Sequence, residues 1–471
     1  MKTYYPTIGL EIHAELHTNS KMFCSCKNDA DEERANMNVC PVCMAHPGAI
    51  PTINKKAVEH VIRVGMALGA DIADFTEFDR KNYFYPDIPK GYQISQYKFP
   101  IVSGGQLAGV DITRVHLEED TANSKHDKGD YTLVDYNRAG VPLMELVTEP
   151  VIHSAEQAGN FARELQLLFR YLAVSEANME KGQMRVEANI SISDDPARFG
   201  TKVEVKNLNS FRSAERAIEF ELERMKNLLE EGKGNEIVQE TRGWDEVKQR
   251  TFSQRSKENA ADYRYFPDPD LPKMKLSEAF DMESLRAGLP ELPSMKRVRY
   301  SEAYGLKDAD VELYVIDTTL GAFFESVAKN IENKDTIRTA SNYILSDIVG
   351  LMKTNDVAKL PDISAFATLM HMIEKGELSS RGAKDILAVL MTDGGDPEIL
   401  AKEKGLLQQN DEGAIKAIAQ NVLDNNASVV EEYKNGKENL LQFLVGRVMK
   451  ESKGSANPAM ASKLLKELIG K

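Results

Sequence analysis

Several features that would place this protein in familiar classes are missing from its 471 residues. No apolar run approaches the roughly 18 residues that a membrane-spanning helix needs. The amino-terminal stretch lacks the design of a signal peptide, so we expect a cytoplasmic protein with no membrane partner. The P-loop motif G-x-x-x-x-G-K-[ST] is absent, and so are the G-x-S-x-G elbow and a serine-rich amidase signature. The sequence therefore argues against a P-loop ATPase and against a serine amidase.

The composition is that of an ordinary globular protein, with 42% hydrophobic and 28% charged residues. A chain of this length suits about two to four domains. The formal net charge of −14 argues against a broad, non-specific nucleic-acid coat. The tail from Tyr433 onward is locally basic, which is typical of a solvated helix face but leaves room for a basic binding surface. Its cations are Lys434, Lys437, Arg447, Lys450, Lys453, Lys463, Lys466 and Lys471, and its acids are Glu438, Glu451 and Glu467.

The four cysteines lie within twenty residues, as Cys24-x-Cys26 and Cys40-x-x-Cys43. Four thiolates in two close pairs match a tetrahedral zinc site, and a reducing cell interior favours metal over disulfides. The alternative is four unconnected buried thiols. Because four thiolates leave no open coordination position, we expect the Zn²⁺ to be structural.

Alternating strands carry ionisable side chains on one face. Residues 7–17 place Glu11 and His13 opposite an apolar face, which predicts either a solvated surface or a wall of metal ligands. Glu145 lies inside the apolar run VPLMELV, where a carboxylate is costly to bury unless it is paired or bound to a metal. Glu118 and Glu119 end another strand-like segment, and alternation does not decide between them.

Two later strands, at residues 184–193 and 202–208, repeat this alternation. Their polar faces include Arg185, Glu187, Glu204 and Lys206. Carboxylates hold Mg²⁺ against nucleotide phosphates, and cations neutralise a phosphoryl group in transfer. The residue types therefore suggest an ATP-dependent kinase or ligase without a P-loop, with a non-catalytic RNA-binding scaffold as the alternative.

An aromatic and basic segment at residues 79–100 mixes six rings with four cations. Pro86, Pro89 and Gly91 prevent a long helix there. Such a segment suits a phosphate-bearing or nucleotide ligand, and the alternative is a packing loop on an antiparallel sheet. Residues 262–272, DYRYFPDPDLP, form a second segment of the same kind.

Antiparallel-looking strands interleaved with helices predict an α+β domain, and the sequence beyond it is helical by period. We expect three parts. They are a catalytic domain with a largely antiparallel sheet at 1–292, an all-helical domain at 293–404 and a small helical tail domain at 405–471.

Unusual segments occur in a fixed order along the chain. They are IGLEIHAEL, DRKNYFYPDIPKGYQISQ, LEEDTANS, VDYNRAGVPLMELV, VEANISI, VKNLNSF and DYRYFPDPDLP, with SKGSANP in the tail. With these segments the chain resembles, over its whole length, the GatB family, the B subunits of the glutamyl/aspartyl-tRNA amidotransferase. The resemblance implies a cradle-shaped, glutamine-synthetase-like catalytic domain, and helical and tail domains that contact tRNA.

The resemblance also implies a reaction shared within a heterotrimer, which contains the B subunit, an amidase called the A subunit and a small C subunit. The amidase releases ammonia from glutamine. The B subunit uses ATP and Mg²⁺ to phosphorylate the side-chain carboxylate of Glu mischarged on tRNA(Gln), or of Asp on tRNA(Asn). Ammonia arriving through a channel then displaces the phosphate. The alternatives are a tRNA-binding scaffold and a free-standing ligase resembling glutamine synthetase.

The family motifs imply metal ligands in this sequence. These are His13, Glu119 and Glu145, with Glu11 close to them, and the motif favours Glu119 over Glu118. Because histidine is an unusual ligand of Mg²⁺, Mn²⁺ and an indirect role for His13 are alternatives.

Two lysines, Lys81 and Lys90, are implied to line the phosphoryl-transfer chamber and the ammonia route, facing Glu119 and Glu145. The residues expected on the nucleotide side are Arg185, Glu187, Glu204 and Lys206. The expected structural zinc ligands are Cys24, Cys26, Cys40 and Cys43.

Overall fold

A computed structural model describes residues 2–29, 31–126, 129–256, 263–354, 359–408, 412–452 and 456–470. The chain divides into two compact units, Met1–Pro293 and Ser294–Lys471. The first unit combines sheets with helices and the second is built of helices, so the predicted α+β class with a helical C-terminal part is confirmed. Among the described helices, none combines the length and the apolar character that a membrane span requires.

The strands of the described residues all belong to the first unit. In chain order they are β1 (Tyr5–Glu15), β2 (Asp71–Ile72), β3 (Phe75–Thr76), β4 (Asp79–Asn82), β5 (Tyr92–Ser95), β6 (Val102–Ser103), β7 (Gln106–Leu107), β8 (Val110–Glu119), β9 (Asn123–Lys125), β10 (Leu133–Asp135), β11 (Pro142–Thr148), β12 (Met184–Ser193), β13 (Val203–Leu208), β14 (Glu240–Asp245), β15 (Arg250–Ser256), β16 (Phe266–Pro267) and β17 (Met274–Lys275).

The helices fall in both units. In chain order they are α1 (Lys55–Ala67), α2 (Ala155–Tyr171), α3 (Phe211–Glu230), α4 (Leu276–Ala279), α5 (Met282–Ala287), α6 (Pro293–Tyr304), α7 (Asp308–Ile316), α8 (Thr318–Ala328), α9 (Lys334–Asn342), α10 (Val349–Thr354), α11 (Ile363–Glu374), α12 (Ser380–Thr392), α13 (Pro397–Glu403), α14 (Glu412–Asn425), α15 (Ala427–Lys434), α16 (Leu440–Glu451) and α17 (Pro458–Ile469). A 3₁₀-helix spans Gly234–Glu236, and a π-helix at Tyr343–Ile348 joins α9 to α10.

One large sheet organises the first unit, in the strand order β15-β14-β13-β12-β1-β11-β8-β6-β2, with β7 paired to β8. The pairs are antiparallel except β13 with β14. β1 therefore lies between β11 and β12, two strands that are about 140 and 180 residues further along the chain.

The alternation along these strands decides which face is buried. Apolar residues of β1, such as Ile8, Leu10 and Ile12, are almost fully buried in a core that includes residues of α1, α2 and α3. Helix α2 begins where Ser154 accepts a hydrogen bond from the Gln157 amide, which stabilises its first turn. With the helices on one face, the opposite face of the sheet is left to polar side chains.

A smaller sheet joins the two aromatic segments in the order β16-β4-β5. Phe266 pairs with Arg80, and Asp79 pairs with both Pro267 and Ser95. An ion pair between Arg80 Nε and the buried Asp268 Oδ2, at 2.7 Å, fixes this pairing. The two segments therefore form one structure, although the residues in contact lie 181 or more positions apart in the sequence.

In the second unit, residues from Ile415 to Ile469 bury a hydrophobic core of their own. Its members include Ala419, Val422, Leu444 and Leu465. The predicted boundary near residue 405 stays a prediction.

Candidate active site

The polar face of the large sheet brings the side chains of Glu145, His13 and His116 together. Register places Glu145 of β11 opposite His13 of β1 on one side and His116 of β8 on the other. Glu145 Oε2 lies 3.4 Å from His13 Nε2 and 3.6 Å from His116 Nε2. The buried carboxylate that the sequence singled out is therefore paired with two imidazoles.

Around Glu145, ligand-type atoms cluster in overlapping groups whose members lie within 4.8 Å of one another. The groups are Glu11 with His13 and Glu145, His116 with Glu118 and Glu145, and Glu11 with Glu187 and Glu204. Because Glu145 and Glu11 are shared, the groups form a continuous band across β8, β11, β1, β12 and β13. Such a set of carboxylates and imidazoles suits divalent cations such as Mg²⁺ or Mn²⁺.

The crowding of carboxylates shows in the pKa values. Burial and the charges of Glu145 and Glu187 raise the pKa of Glu11 to about 7. Burial disfavours the charged form of His13, but the hydrogen bond and charge of Glu145, with the charges of Glu118 and Glu187, raise its pKa to about 9. The carboxylates of the band thus carry more negative charge than the neighbouring cations neutralise. A bound divalent cation would offset this excess.

This band lines a cavity of about 670 Å³. The cavity is walled by ionisable side chains, amides and three tyrosine rings. They are Glu11, Lys81, Gln96, Tyr97, Arg114, His116, Glu118, Glu145, Glu204, Lys206, Gln239, Thr241, Gln254, Tyr263 and Tyr265.

Lys81 faces this cavity, with its Nζ 4.0 Å from Glu118 Oε1. Burial disfavours its charge, but the carboxylates of Glu118 and Glu145 outweigh this, so the pKa of Lys81 is raised. At the other side of the band, Lys206 Nζ lies 2.6 Å from Glu187 Oε2 and 3.6 Å from Glu204 Oε1. The cavity therefore has a fixed ammonium group on either side of the carboxylates.

Arg185 does not join the other predicted nucleotide-side residues. Its guanidinium donates to Asp120 Oδ2 at 2.9 Å, and Arg138 Nε lies 3.7 Å from the same oxygen. Burial and the charge of Asp120 raise the pKa of neighbouring Glu15 to about 8. Arg185 belongs to this separate network, outside the lining of the large cavity.

The structure separates Glu118 from Glu119. Glu118 points into the band, held by Ser95 Oγ at 2.6 Å and Gln93 Nε2 at 2.9 Å. Glu119 points away, where Lys90 Nζ donates to its Oε2 at 2.6 Å and the Ile94 amide donates to its Oε1 at 2.9 Å. A metal-ligand role for Glu119, as predicted, would require this ion pair to break, whereas Glu118 is already in place.

The Lys90–Glu119 pair lines a second cavity, of about 200 Å³, together with Cys24, Cys43 and Gly140. Lys90 therefore contacts Glu119 outside the cavity that Glu145 lines. Lys81 and Lys90 therefore line different cavities.

The four cysteines are free thiols whose Sγ atoms lie within 4.8 Å of one another. Cys43 Sγ is 3.8 Å from Cys40 Sγ and 4.0 Å from Cys26 Sγ. Hydrogen bonds from the Cys24 thiol and the Cys40 amide, with the charge of Lys21, outweigh burial and lower the pKa of Cys43 to about 5. A cluster with one thiolate already favoured is suited to a metal such as zinc.

His116 and Arg114 of β8 also line the large cavity, and no sequence motif gave them a role. His116 is buried, its Nδ1 has no hydrogen-bond partner, and its Nε2 lies 3.4 Å from Glu118 Oε1. Arg114 Nη2 lies 3.7 Å from Glu145 Oε1. The signal was present in the alternation of Arg114, His116 and Glu118, but their closeness to Glu145 depends on strand pairing.

Two family models match most of the chain. The family model described as "GatB/GatE catalytic domain" matches residues 6–281, and the model described as "GatB domain" matches residues 322–469. The first match includes the whole polar band, and the second lies in the helical unit.

Curated relatives match from end to end. A protein of Persephonella marina is 44% identical over 479 residues, covering 99% of each chain. One of Dehalococcoides mccartyi is 43% identical over 496 residues, covering 100% of this chain and 99% of its own. A protein of Carboxydothermus hydrogenoformans is 40% identical over 487 residues, covering 100% of each. All three are named as B subunits of an aspartyl/glutamyl-tRNA(Asn/Gln) amidotransferase.

Proposed function

The chain belongs to the GatB family of aspartyl/glutamyl-tRNA(Asn/Gln) amidotransferase B subunits, and on that premise we propose that it activates the side-chain carboxylate of a mischarged aminoacyl-tRNA with ATP. The substrates are Glu-tRNA(Gln), Asp-tRNA(Asn) or both. Ammonia comes from the amidase of the complex, its A subunit, while a small C subunit makes up the heterotrimer. The observation that carries the proposal is the band of carboxylates and imidazoles around Glu145, which faces a cavity with a lysine on either side.

The chemistry requires activation because a carboxylate is a poor acyl electrophile. An oxygen of the aminoacyl carboxylate attacks the γ-phosphorus of ATP, ADP leaves, and an acyl phosphate forms. The nitrogen of ammonia then attacks the acyl carbon, the bond to phosphate breaks, and an ammonia proton is lost to the phosphate. The products are Gln-tRNA or Asn-tRNA, ADP and inorganic phosphate.

The residues around Glu145 fit a divalent cation, because Glu11 is buried beside the charges of Glu145 and Glu187, which together raise its pKa to about 7. Glu11, His13, His116, Glu118 and Glu145 would hold Mg²⁺ or Mn²⁺. Bound there, the cation would neutralise charge on the phosphates of ATP and on the phosphoryl group in transfer.

Two lysines of the cavity act on the same negative charge, that of the ATP phosphates. Lys81 and Lys206 keep their protons, because carboxylates raise the pKa of each against the opposing effect of burial. Their ammonium groups neutralise negative charge on the phosphoryl group in transfer and on the departing ADP. Glu187 and Glu204 orient Lys206, and Glu118 orients Lys81.

The second cavity suits the entry of ammonia. Its lining includes the Lys90–Glu119 ion pair and two cysteines of the cluster, Cys24 and Cys43, and Glu119 is the chain neighbour of Glu118 in the first cavity. We assign Lys90 and Glu119 to the ammonia route, and the four cysteines to a structural Zn²⁺ beside it. The tail domain at 405–471, which is basic from Tyr433 onward, is assigned to tRNA binding.

The test of this function is amidation by the assembled complex. The three purified subunits are combined and supplied with glutamine and either Glu-tRNA(Gln) or Asp-tRNA(Asn), with and without ATP. We expect ATP-dependent formation of Gln-tRNA, Asn-tRNA or both. Glutamine hydrolysis without ATP-dependent amidation of either tRNA would point to a tRNA-binding scaffold, and turnover that mischarged tRNA does not stimulate would point to a free-standing ligase.

A further inference from the structure

One end of the large cavity is aromatic, and the chemistry proposed above does not use it. Tyr97, Tyr263 and Tyr265 line it. Tyr97 and Tyr265 stack face to face, with ring centroids 4.3 Å apart and an angle of 13° between their planes. Tyr97 is nevertheless 63% exposed, so a broad ring surface faces solvent beside an ionic site.

This ring pair is held in place by the smaller sheet. The Tyr97 amide donates to Oδ2 of the buried Asp79 at 2.9 Å, which anchors the residue just beyond β5. Tyr265 directly precedes β16, whose pairing with β4 brings it to Tyr97. Tyr263 packs against the edge of Tyr265, with centroids 6.2 Å apart and planes at 74°. The stack is therefore formed before any ligand arrives.

The position of the rings relative to the charges indicates the kind of ligand. Lys81 Nζ lies 5.2 Å from the centroid of the Tyr263 ring and 4.0 Å from Glu118 Oε1. A ligand stacked on the tyrosines would thus have its ring next to an ammonium group and its charged part at the carboxylate band. Nucleotides have this arrangement of a flat ring beside phosphate, and bases stack well on tyrosine.

We propose that the Tyr97–Tyr265 pair is a binding platform for an adenine ring. This inference rests on the proposed function, in which adenine occurs in ATP and in the 3′-terminal adenosine of tRNA. Either source presents the same ring. Both aromatic segments of the sequence thereby acquire one role, because each contributes one tyrosine of the stack.

Binding to the assembled complex tests the platform without any turnover. The variants are Tyr97→Leu and Tyr265→Leu, which remove a ring, and Tyr97→Phe, which keeps it. The control is Tyr85→Leu, because Tyr85 lies on the same segment, is 57% exposed and does not line the cavity. The probes are ATP against inorganic tripolyphosphate, both with Mg²⁺, and tRNA(Gln) with and without its terminal adenosine.

We expect each leucine variant to weaken one adenine-bearing probe by about 5- to 100-fold, the range typical of losing a base stack. If the binding of ATP weakens and that of tripolyphosphate does not, the platform holds the base of ATP. If the affinity for intact tRNA falls to the affinity for tRNA without its last nucleotide, the platform holds that adenosine. Tyr97→Phe and Tyr85→Leu should bind like the wild type.

Unchanged binding of all probes in both leucine variants would overturn the proposal. So would an equal loss for ATP and tripolyphosphate, since that would show a disturbed phosphate site. Because these are equilibrium measurements, a platform that binds adenine in a complex that forms no acyl phosphate would leave the inference standing and remove only the proposed function.

Discussion

Glu145 and His13 are directly paired residues of neighbouring antiparallel strands, and Glu145 Oε2 lies 3.4 Å from His13 Nε2. Burial alone would raise the pKa of Glu145, but His116 and the hydrogen bond from His13 lower it. The carboxylate therefore stays charged in a buried position. Because this charge is maintained at the centre of the ligand band, we expect the site to depend most on Glu145.

Replacing Glu145 by Gln keeps its shape and removes its charge. We expect ATP-dependent amidation by the assembled complex to fall by about 100-fold or more, while the glutaminase activity of the complex is retained. The rate of each activity is measured with saturating mischarged tRNA. His13→Ala should behave in the same way.

The matched control is Glu149→Gln, because Glu149 lies just beyond the end of β11 and hydrogen-bonds to Thr113. This variant should amidate normally. Amidation retained in Glu145→Gln or in His13→Ala would remove these residues from the site.

Glu118 and Glu119 should differ sharply in a metal titration. In Glu118→Gln we expect the affinity for Mn²⁺, measured by electron paramagnetic resonance, to fall by at least about tenfold. In Glu119→Gln the affinity should stay within about threefold, but stability should fall by up to about 3–5 kcal/mol because Lys90 loses its buried partner. The opposite pattern would restore Glu119 as the ligand.

Metal binding should depend on pH through His13 and Glu11. With a pKa of about 9, His13 is protonated in the metal-free protein at pH 7.5, and a metal can bind only the neutral ring. Mn²⁺ affinity should therefore rise about tenfold per pH unit from 7 to 9 and level off above 9.

Below pH 7 the rise should be steeper, because Glu11, with a pKa of about 7, also has to lose a proton. The affinity is measured by calorimetry in buffers of different ionisation enthalpy, which also counts the protons released. An affinity that is flat between pH 7 and pH 9 would exclude His13 as a ligand.

The cysteine cluster should hold one zinc ion per chain. We expect metal analysis to find it in the purified protein, and Cys43→Ala to lose it and to unfold at a lower temperature. A chelator should lower the melting temperature of the wild type, and added Zn²⁺ should restore it. A metal-free protein that melts at the same temperature as one saturated with zinc would show that the thiols need no metal to stabilise the fold.

Removing residues 405–471 should weaken tRNA binding. Four cations on α16 and α17, Arg447, Lys450, Lys463 and Lys466, are exposed. Loss of such contacts should raise the KM for tRNA by about tenfold or more and reduce the salt dependence of binding. The circular dichroism of the remaining chain should show that the sheet is intact. A truncated complex that binds tRNA with unchanged affinity would refute this role.

Local patterns in the sequence were enough to predict several elements. The alternation of residues 184–193 predicted β12 with its observed bounds, and the alternation of residues 7–17 predicted β1 to within two residues at each end. Glu145 stood out because a carboxylate inside an apolar run needs a partner. These inferences depend on neighbours within a few residues, which the sequence displays directly.

Contacts between distant strands were beyond such reasoning. Alternation leaves adjacent residues ambiguous at a strand end, so it did not separate Glu118 from Glu119, which depends on Lys90 and on β5. It also grouped Arg185 with Glu187, although Arg185 reaches across the sheet to Asp120. His116 received no role because its distance to Glu145 follows from the register of β8 against β11.

The most direct test of the account is transfer of labelled phosphate to mischarged tRNA. The assembled complex is incubated with ATP labelled at its γ-phosphate and with Glu-tRNA(Gln) or Asp-tRNA(Asn), in the absence of glutamine and ammonia. We expect base-labile label on the aminoacyl-tRNA with the wild type, and none with Glu145→Gln. A wild-type complex that later amidates the same tRNA on addition of ammonia, yet never carries label to it, would contradict the account.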